Sequence, residues 1–291
     1  MPNIFHPSAK RGILYMLGAM LIFSILNAIV KDTTTRYDPI QLVFFRCFFA
    51  SIPCAIIMFV KGGWILPSSF EWKIHLKRAF LLPIGLLILF LGIGKVPLSV
   101  SMALYFSATL FLVILSYPIL RERVGLIQWI AVAVGLVGVL IIAKPGGEVF
   151  HFGALFVIIG AFMESAYNLY GRLLSATYNS FMLTFLGSLL PALVIFLALP
   201  FVWVTPDFGG WIALISLGLG GGLGQLCVTF AYRHAPAGTL APMLYSAILW
   251  SILLDVVLYE NWPTHSLILG CSIIIISGLI IVFSESKTKK V

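Results

Sequence analysis

The chain has 291 residues, 61% of them hydrophobic and only 10% charged, with a mean hydropathy of +1.09. A soluble domain carries roughly 25% charged residues, so this composition excludes one. The formal net charge of +8 sits in the loops of a membrane protein, and the expected partner is a lipid bilayer, not nucleic acid.

A helix that crosses the hydrocarbon core needs roughly 20 apolar residues, and the chain offers ten such runs. The first, about 12–31, follows Lys10 and Arg11 and carries Asn27. No Ala-x-Ala cleavage site follows it, so it is expected to be retained rather than removed as a signal peptide. The second, about 40–60, holds Arg46 near its start. The third, 76–94, leads through Lys95 and Pro97 into the fourth, 97–119, with Ser101, Tyr105 and Ser107. The fifth is 125–143, and the sixth, 152–171, contains Glu164 and Asn168. The seventh, 180–203, precedes an eighth, 209–231, with a glycine cluster from Gly218 to Gly224 followed by Gln225. The ninth, 237–258, contains Pro242, Tyr245, Trp250 and Asp255, and the tenth is 265–284. Unbroken apolarity at this length predicts helices rather than alternating barrel strands. The expected fold class is an all-α integral membrane protein of ten transmembrane helices, with connections too short for a soluble domain. Cys47, Cys54, Cys227 and Cys271 all fall inside spans without metal-ligand spacing. They read as small hydrophobic fillers, and no metal or cofactor is expected.

One segment recurs. Pro97, Leu104–Tyr105–Phe106–Ser107–Ala108 and Leu120–Arg121–Glu122 return as Pro236, Leu244–Tyr245–Ser246–Ala247 and Leu258–Tyr259–Glu260. The prolines, serines and alanines are offset by 139, the glutamates by 138, and Gly138 and Gly278 by 140, so a one-residue slip is expected in a loop. With the N-terminus inside, thirteen basic residues fall on the inner side, among them Lys10, Lys77, Arg78 and Arg172. Four, Lys31, Arg36, Lys95 and Lys144, fall on the outer side. That asymmetry places both termini in the cytoplasm. Five spans separate equivalent points, so the copies are expected to run in opposite directions, as two inverted-topology five-helix repeats over residues 1–146 and 147–291. Such a pair suits alternating access to a central site; the other reading is an architectural relic.

The ten helices in a 5+5 arrangement, the Pro97 and Pro236 loops, the Tyr–Ser–Ala stretches and the Glu122 and Glu260 corners resemble the drug/metabolite transporter superfamily, EamA type. The stretch from Gly224 and Gln225 through Tyr232, His234 and Pro236 to Tyr245 is the most family-like. It is similar to members that carry amino acids and S-adenosylmethionine-like metabolites. The resemblance implies a carrier whose central cavity is lined largely by helices 1, 3, 4, 6, 8 and 9. Asp255 and Glu164 depart from the usual pattern and are candidates for marking this chain's own substrate.

Charged groups at membrane depth are costly, about 2.5–3.5 kcal/mol on insertion scales, so each needs a partner or a function. Glu164, near the middle of span 6, is the first candidate: it can exchange a proton or hold an amine, ammonium or sulfonium group, or it can serve packing alone. Asn168 shares its helix face. Arg46 is expected at the outer part of span 2, pairing structurally or meeting a substrate carboxylate. Asp255 is expected near the outer end of span 9 as a gate, an ion-pair partner of Arg46, or a water-exposed acid. Tyr245 and Tyr105 are expected aromatic walls, with Trp250, Ser101, Asn27 and Gln225 completing the candidate substrate set; interhelical bonding is the alternative for each.

No Walker A segment is present, and no catalytic constellation lies at depth, so an enzyme is not expected. The expected function is a secondary-active transporter of a small polar or zwitterionic organic metabolite, in a bacterial-type cytoplasmic membrane, as a monomer or homodimer. Exporters of drugs or toxic amphipathic compounds, and a channel-like or structural membrane protein, are the competing readings.

Overall fold

In a bilayer the backbone must satisfy its own polar groups, and helices do this segment by segment. The computed structural model describes residues 9–61, 70–121, 125–143, 152–175, 177–235, 240 and 243–288, and they contain no strand. The helices are α1 (Ala9–Thr33), α2 (Pro39–Lys61), α3 (Trp72–Ile93), α4 (Leu98–Tyr105), α5 (Ser107–Leu120), α6 (Leu126–Ala143), α7 (Phe152–Leu174), α8 (Ser180–Phe196), α9 (Phe208–His234), α10 (Ser246–Tyr259) and α11 (His265–Thr288). A 3-10 turn, Leu199–Phe201, follows α8.

Seven segments are long and apolar enough to cross a membrane, α4 and α5 counting together as Leu98–Leu120. Three shorter apolar helices, Phe181–Phe196, Ser246–Tyr259 and His265–Ile281, overlap the remaining expected spans but fall short of crossing length among the described residues. Pro236 and, within the ninth expected span, residues 237–239, 241 and Pro242 lie outside the described residues, as do Glu122 and Lys144.

The recurrence in the sequence has a counterpart in the backbone. Helical bonding breaks at Phe106 (φ −63°, ψ −12°) and again at Tyr245 (φ −69°, ψ −10°), each immediately before a Ser–Ala pair. The following helices both end on a left-handed non-glycine residue, Arg121 (φ 56°) and Glu260 (φ 55°). Left-handed C-caps are usually glycine, so finding two at matching corners is informative. Arg121 and Glu260 are 139 apart, the same offset as the prolines. Glu260 therefore matches Arg121 rather than Glu122, and the slip expected at this corner is not needed there.

The packing repeats as well. Ser24 of α1 donates its hydroxyl to Ala247 O at 3.1 Å, and Ser165 of α7 donates to Ala108 O at 2.9 Å. These bonds join corresponding elements of the two halves. Likewise α3 packs on α7 as α1 packs on α9, while α2 packs on α8 and α6 on α11. Close approach at the last pair needs glycines: a Cβ at Gly138 would stand 2.9 Å from Gly270 O, and one at Gly270 2.8 Å from Gly138 O. At the centre the rings of Phe106 and Tyr245, one from each copy, meet at a centroid distance of 5.0 Å.

Candidate functional site

A cavity of about 670 Å³ lies among α2, α3, α7, α8 and α9, within the size range of small-molecule sites. Its deep end is formed by Glu164 of α7, Arg46 of α2 and Gly221, Gly222 and Gln225 of α9. It extends along α7 past Tyr167, Asn168 and Gly171 to Arg172 and Ser175. Positions 164, 168, 171 and 175 recur at three- and four-residue spacing, which puts them on one helix face. Eleven residues of helix at 1.5 Å each make the cavity roughly 16 Å deep. Its other end therefore lies where α7 and α9 finish and α3 and α8 begin, the same side as the start of α1.

Glu164 is not alone at the deep end. The Tyr105 hydroxyl hydrogen-bonds to its carboxylate from the end of α4, and the Arg46 guanidinium lies close enough to act on it electrostatically. Arg46 owes its place to the α9 glycine cluster, because a Cβ at Gly221 would collide with its guanidinium. Gly218 and Gly222 press against the α2 backbone at Phe45 and Ala50. The cluster thus gives close helix packing and, through Gly221 and Gly222, part of the cavity wall.

On the opposite side, bonds tie α1, α4 and α10 together. Asp255 of α10 is only 1% exposed and accepts hydrogen bonds from Leu98 N (3.0 Å), Ser99 N (2.6 Å) and Ser99 Oγ (2.5 Å) at the start of α4. Lys31 Nζ stands 3.8 Å from the same carboxylate and 4.4 Å over the ring of Tyr259. The Tyr259 hydroxyl in turn donates to Asp32 at 2.8 Å. Nearby, Gln41 uses both ends of its amide on the backbone of Val204, at 2.9 and 3.0 Å.

Of the residues singled out in the sequence, Arg46, Glu164, Asn168 and Gln225 line the cavity, and Tyr105 reaches it through Glu164. Others lie elsewhere. Tyr245 is 7% exposed, packed on Phe106 with its hydroxyl against Gly278. Asn27 donates to Met102 Sδ at 2.9 Å. Ser101 Oγ and Trp250 Nε1 are buried without a partner among the described residues. Asp255 is neither water-exposed nor paired with Arg46; its cation is Lys31. His75, near the start of α3, is 2% exposed and stacked on Phe70 at 4.7 Å.

The lining also departs from the set of helices that the resemblance implied. Here α2 and α8 contribute, whereas α1, α4 and α10 do not, because the Asp255 and Ser24 bonds hold those three together. Sequence reasoning missed Arg78, Tyr167, Thr184, Ser188 and Tyr232. Arg78 is expected among the inner-side charges, yet α3 starts at Trp72 and carries it inside, where it is 5% exposed.

The sequence profile of the EamA-like transporter family matches residues 10–144 and again 151–283. The chain belongs to the EamA-like transporter family. The membership in the drug/metabolite transporter superfamily expected from the sequence is thereby met. Among its relatives, an uncharacterized transporter of Helicobacter pylori (strain J99) is 31% identical over 93% of this chain and 94% of its own length. A riboflavin transporter of Vibrio cholerae is 29% identical, covering 98% of this chain and 96% of its own. An S-adenosylmethionine uptake transporter of Rickettsia bellii is 27% identical, covering 95% and 94%. A solved crystal structure superposes with a TM-score of 0.67 over 97% of this chain and 99% of the other, at 19% identity, which establishes a shared fold. Family and relatives are transporters, not enzymes, and this EamA-like chain is a multi-pass membrane protein.

Proposed function

We propose that this EamA-like protein is a secondary-active carrier for a small polar or zwitterionic organic metabolite, working by alternating access. The observation that carries the reading is the cavity that runs from one side to Glu164 and stops, while the Asp255 network closes the other side. In this reading ten helices form two inverted five-helix units, both termini are cytoplasmic, and the conformation is open inward. The matched breaks at Phe106 and Tyr245, the left-handed corners at Arg121 and Glu260, and the paired Ser24 and Ser165 bonds support two units related by exchange. Phe106 and Tyr245 meet where such units would pivot.

Glu164 binds the cationic part of the substrate or carries a coupling proton, with Arg46, Asn168 and Gln225 around it and Tyr105 holding the carboxylate in place. Ser101, Trp250 and Asn27 join the substrate path when α1 and α10 part from α4, and Asp255 gates that opening. Relatives that carry S-adenosylmethionine and riboflavin point to a metabolite with a planar ring and polar groups as the first substrate class to screen. Counterflow in proteoliposomes tests the reading. Saturable uptake stimulated by preloaded substrate is expected, and unsaturable flux would show a channel instead.

A further inference from the structure

The cavity holds a cation that its own protein satisfies only in part, through the Tyr167 hydroxyl. Arg78 is 5% exposed, lines the cavity, and has no hydrogen-bond partner at Nε or Nη1 among the described residues. It faces the interior rather than lipid, so snorkelling to a headgroup does not explain it.

The surroundings form a seat for its guanidinium. The group lies 4.3 Å over the ring of Tyr167, a favourable cation–π arrangement. Tyr167 is itself fixed by donating its hydroxyl to Gly187 O at 3.0 Å. Two glycines make room for the head of the arginine: a Cβ at Gly171 of α7 would stand 3.3 Å from Nη2, and one at Gly187 of α8 2.9 Å from it. Ser188 of α8 also lines the cavity, one residue beyond Gly187.

Charge balance points the same way. Away from its mouth the lining contains two arginines, Arg46 and Arg78, against one carboxylate, Glu164, and that carboxylate already has Arg46 within electrostatic range. A buried guanidinium with unused donors favours an anion with matching acceptors, carboxylate or phosphate above all. We infer that Arg78, seated on Tyr167 between Gly171 and Gly187, is the anion subsite of the cavity, and that the cargo carries a carboxylate or phosphate group. This rests on the transport reading for the word cargo, not for the site itself. Glu164 and Gly171 are seven residues apart on one helix, roughly 10 Å. A substrate spanning them would place a positive group at Glu164 and a negative one at Arg78.

The test compares the wild-type protein with Arg78→Gln, Arg78→Lys and Gly171→Ala, purified in detergent. Thermal shifts are first read with sodium acetate and sodium phosphate against sodium chloride at equal ionic strength. A saturable anion-specific rise is expected in wild type, because a ligand of the folded state raises its melting point. It should vanish in Arg78→Gln, persist in part in Arg78→Lys, and weaken in Gly171→Ala, which crowds the guanidinium but keeps its charge. Binding is then measured for S-adenosylmethionine against its decarboxylated form, and for riboflavin 5′-phosphate against riboflavin. The pair that binds should favour its anionic member by about ten- to a hundredfold, and Arg78→Gln should erase the preference. No anion-specific shift in wild type, or discrimination unchanged in Arg78→Gln, overturns the subsite. Proteoliposome counterflow separates the two readings. Anion protection without transport leaves the subsite standing and removes the carrier; transport with unaltered discrimination does the reverse.

Discussion

Ser99 donates to the Asp255 carboxylate twice, through its backbone N–H at 2.6 Å and its hydroxyl at 2.5 Å. A carboxylate from the second half of the chain thus caps the first turn of α4, where unpaired N–H groups and the helix dipole favour negative charge. The position 139 residues earlier is Ser116, whose hydroxyl bonds within its own helix to Val113 O at 2.7 Å. The carboxylate latch belongs to one side only, which fits a conformation closed on that side.

Asp255→Asn is therefore expected to loosen that closure. Hydrogen bonds to a charged group contribute about 1.5–3 kcal/mol each, so losing the charge should shift the conformational balance tenfold or more toward opening. Cysteines placed near Lys31 and Ser99 would then label faster with a membrane-impermeant maleimide. Labelling rates equal to those of the parent would show that Asp255 serves packing alone.

Glu164→Gln keeps the shape and the hydrogen bond from Tyr105 but removes the charge and the exchangeable proton. Transport, or its pH dependence, should be lost while the melting temperature changes by little. The check is uptake between pH 5.5 and about 8, and uptake identical to wild type throughout would reject the role.

Gly221→Ala should act through Arg46. The added methyl meets the guanidinium, and overpacking of this kind costs about 1–3 kcal/mol unless the arginine moves. Displacement of Arg46 is expected to weaken substrate binding at the deep end of the cavity, with normal folding by size-exclusion chromatography. Gly220→Ala, whose Cβ would face Leu26 rather than an arginine, is the control and should spare binding.

Tyr245→Ala removes a buried ring from the contact with Phe106. Truncating a large aromatic in a core costs roughly 3–5 kcal/mol, so the larger loss is expected in thermal stability and the smaller in substrate affinity. An affinity loss well beyond the stability loss would put Tyr245 in the substrate path.

Much of the architecture is legible in the residues alone because its causes are local. Hydropathy over a window of helix length marks the spans, and the offset of 139 between Ser107 and Ser246 marks the repeat. A carboxylate in mid-span, Glu164, stands out because burying charge is costly wherever the helix packs. Side-chain direction is not local. Tyr245 and Tyr105 sit one residue apart in the aligned copies, yet one packs on Phe106 and the other meets Glu164. Arg78 reads as one more inner-side cation because its burial depends on where α7 and α8 lie against α3.

The sequence by itself determined the membrane class, the family and the duplicated plan, since these follow from apolar length, motif order and periodicity along one chain. Only the tertiary structure decided that Asp255 pairs with Lys31 and the start of α4, that Arg46 lies within electrostatic range of Glu164, and that Arg78 is enclosed with Nε and Nη1 unpartnered among the described residues. Those facts depend on which helix faces meet, and packing between distant segments, not composition, sets that.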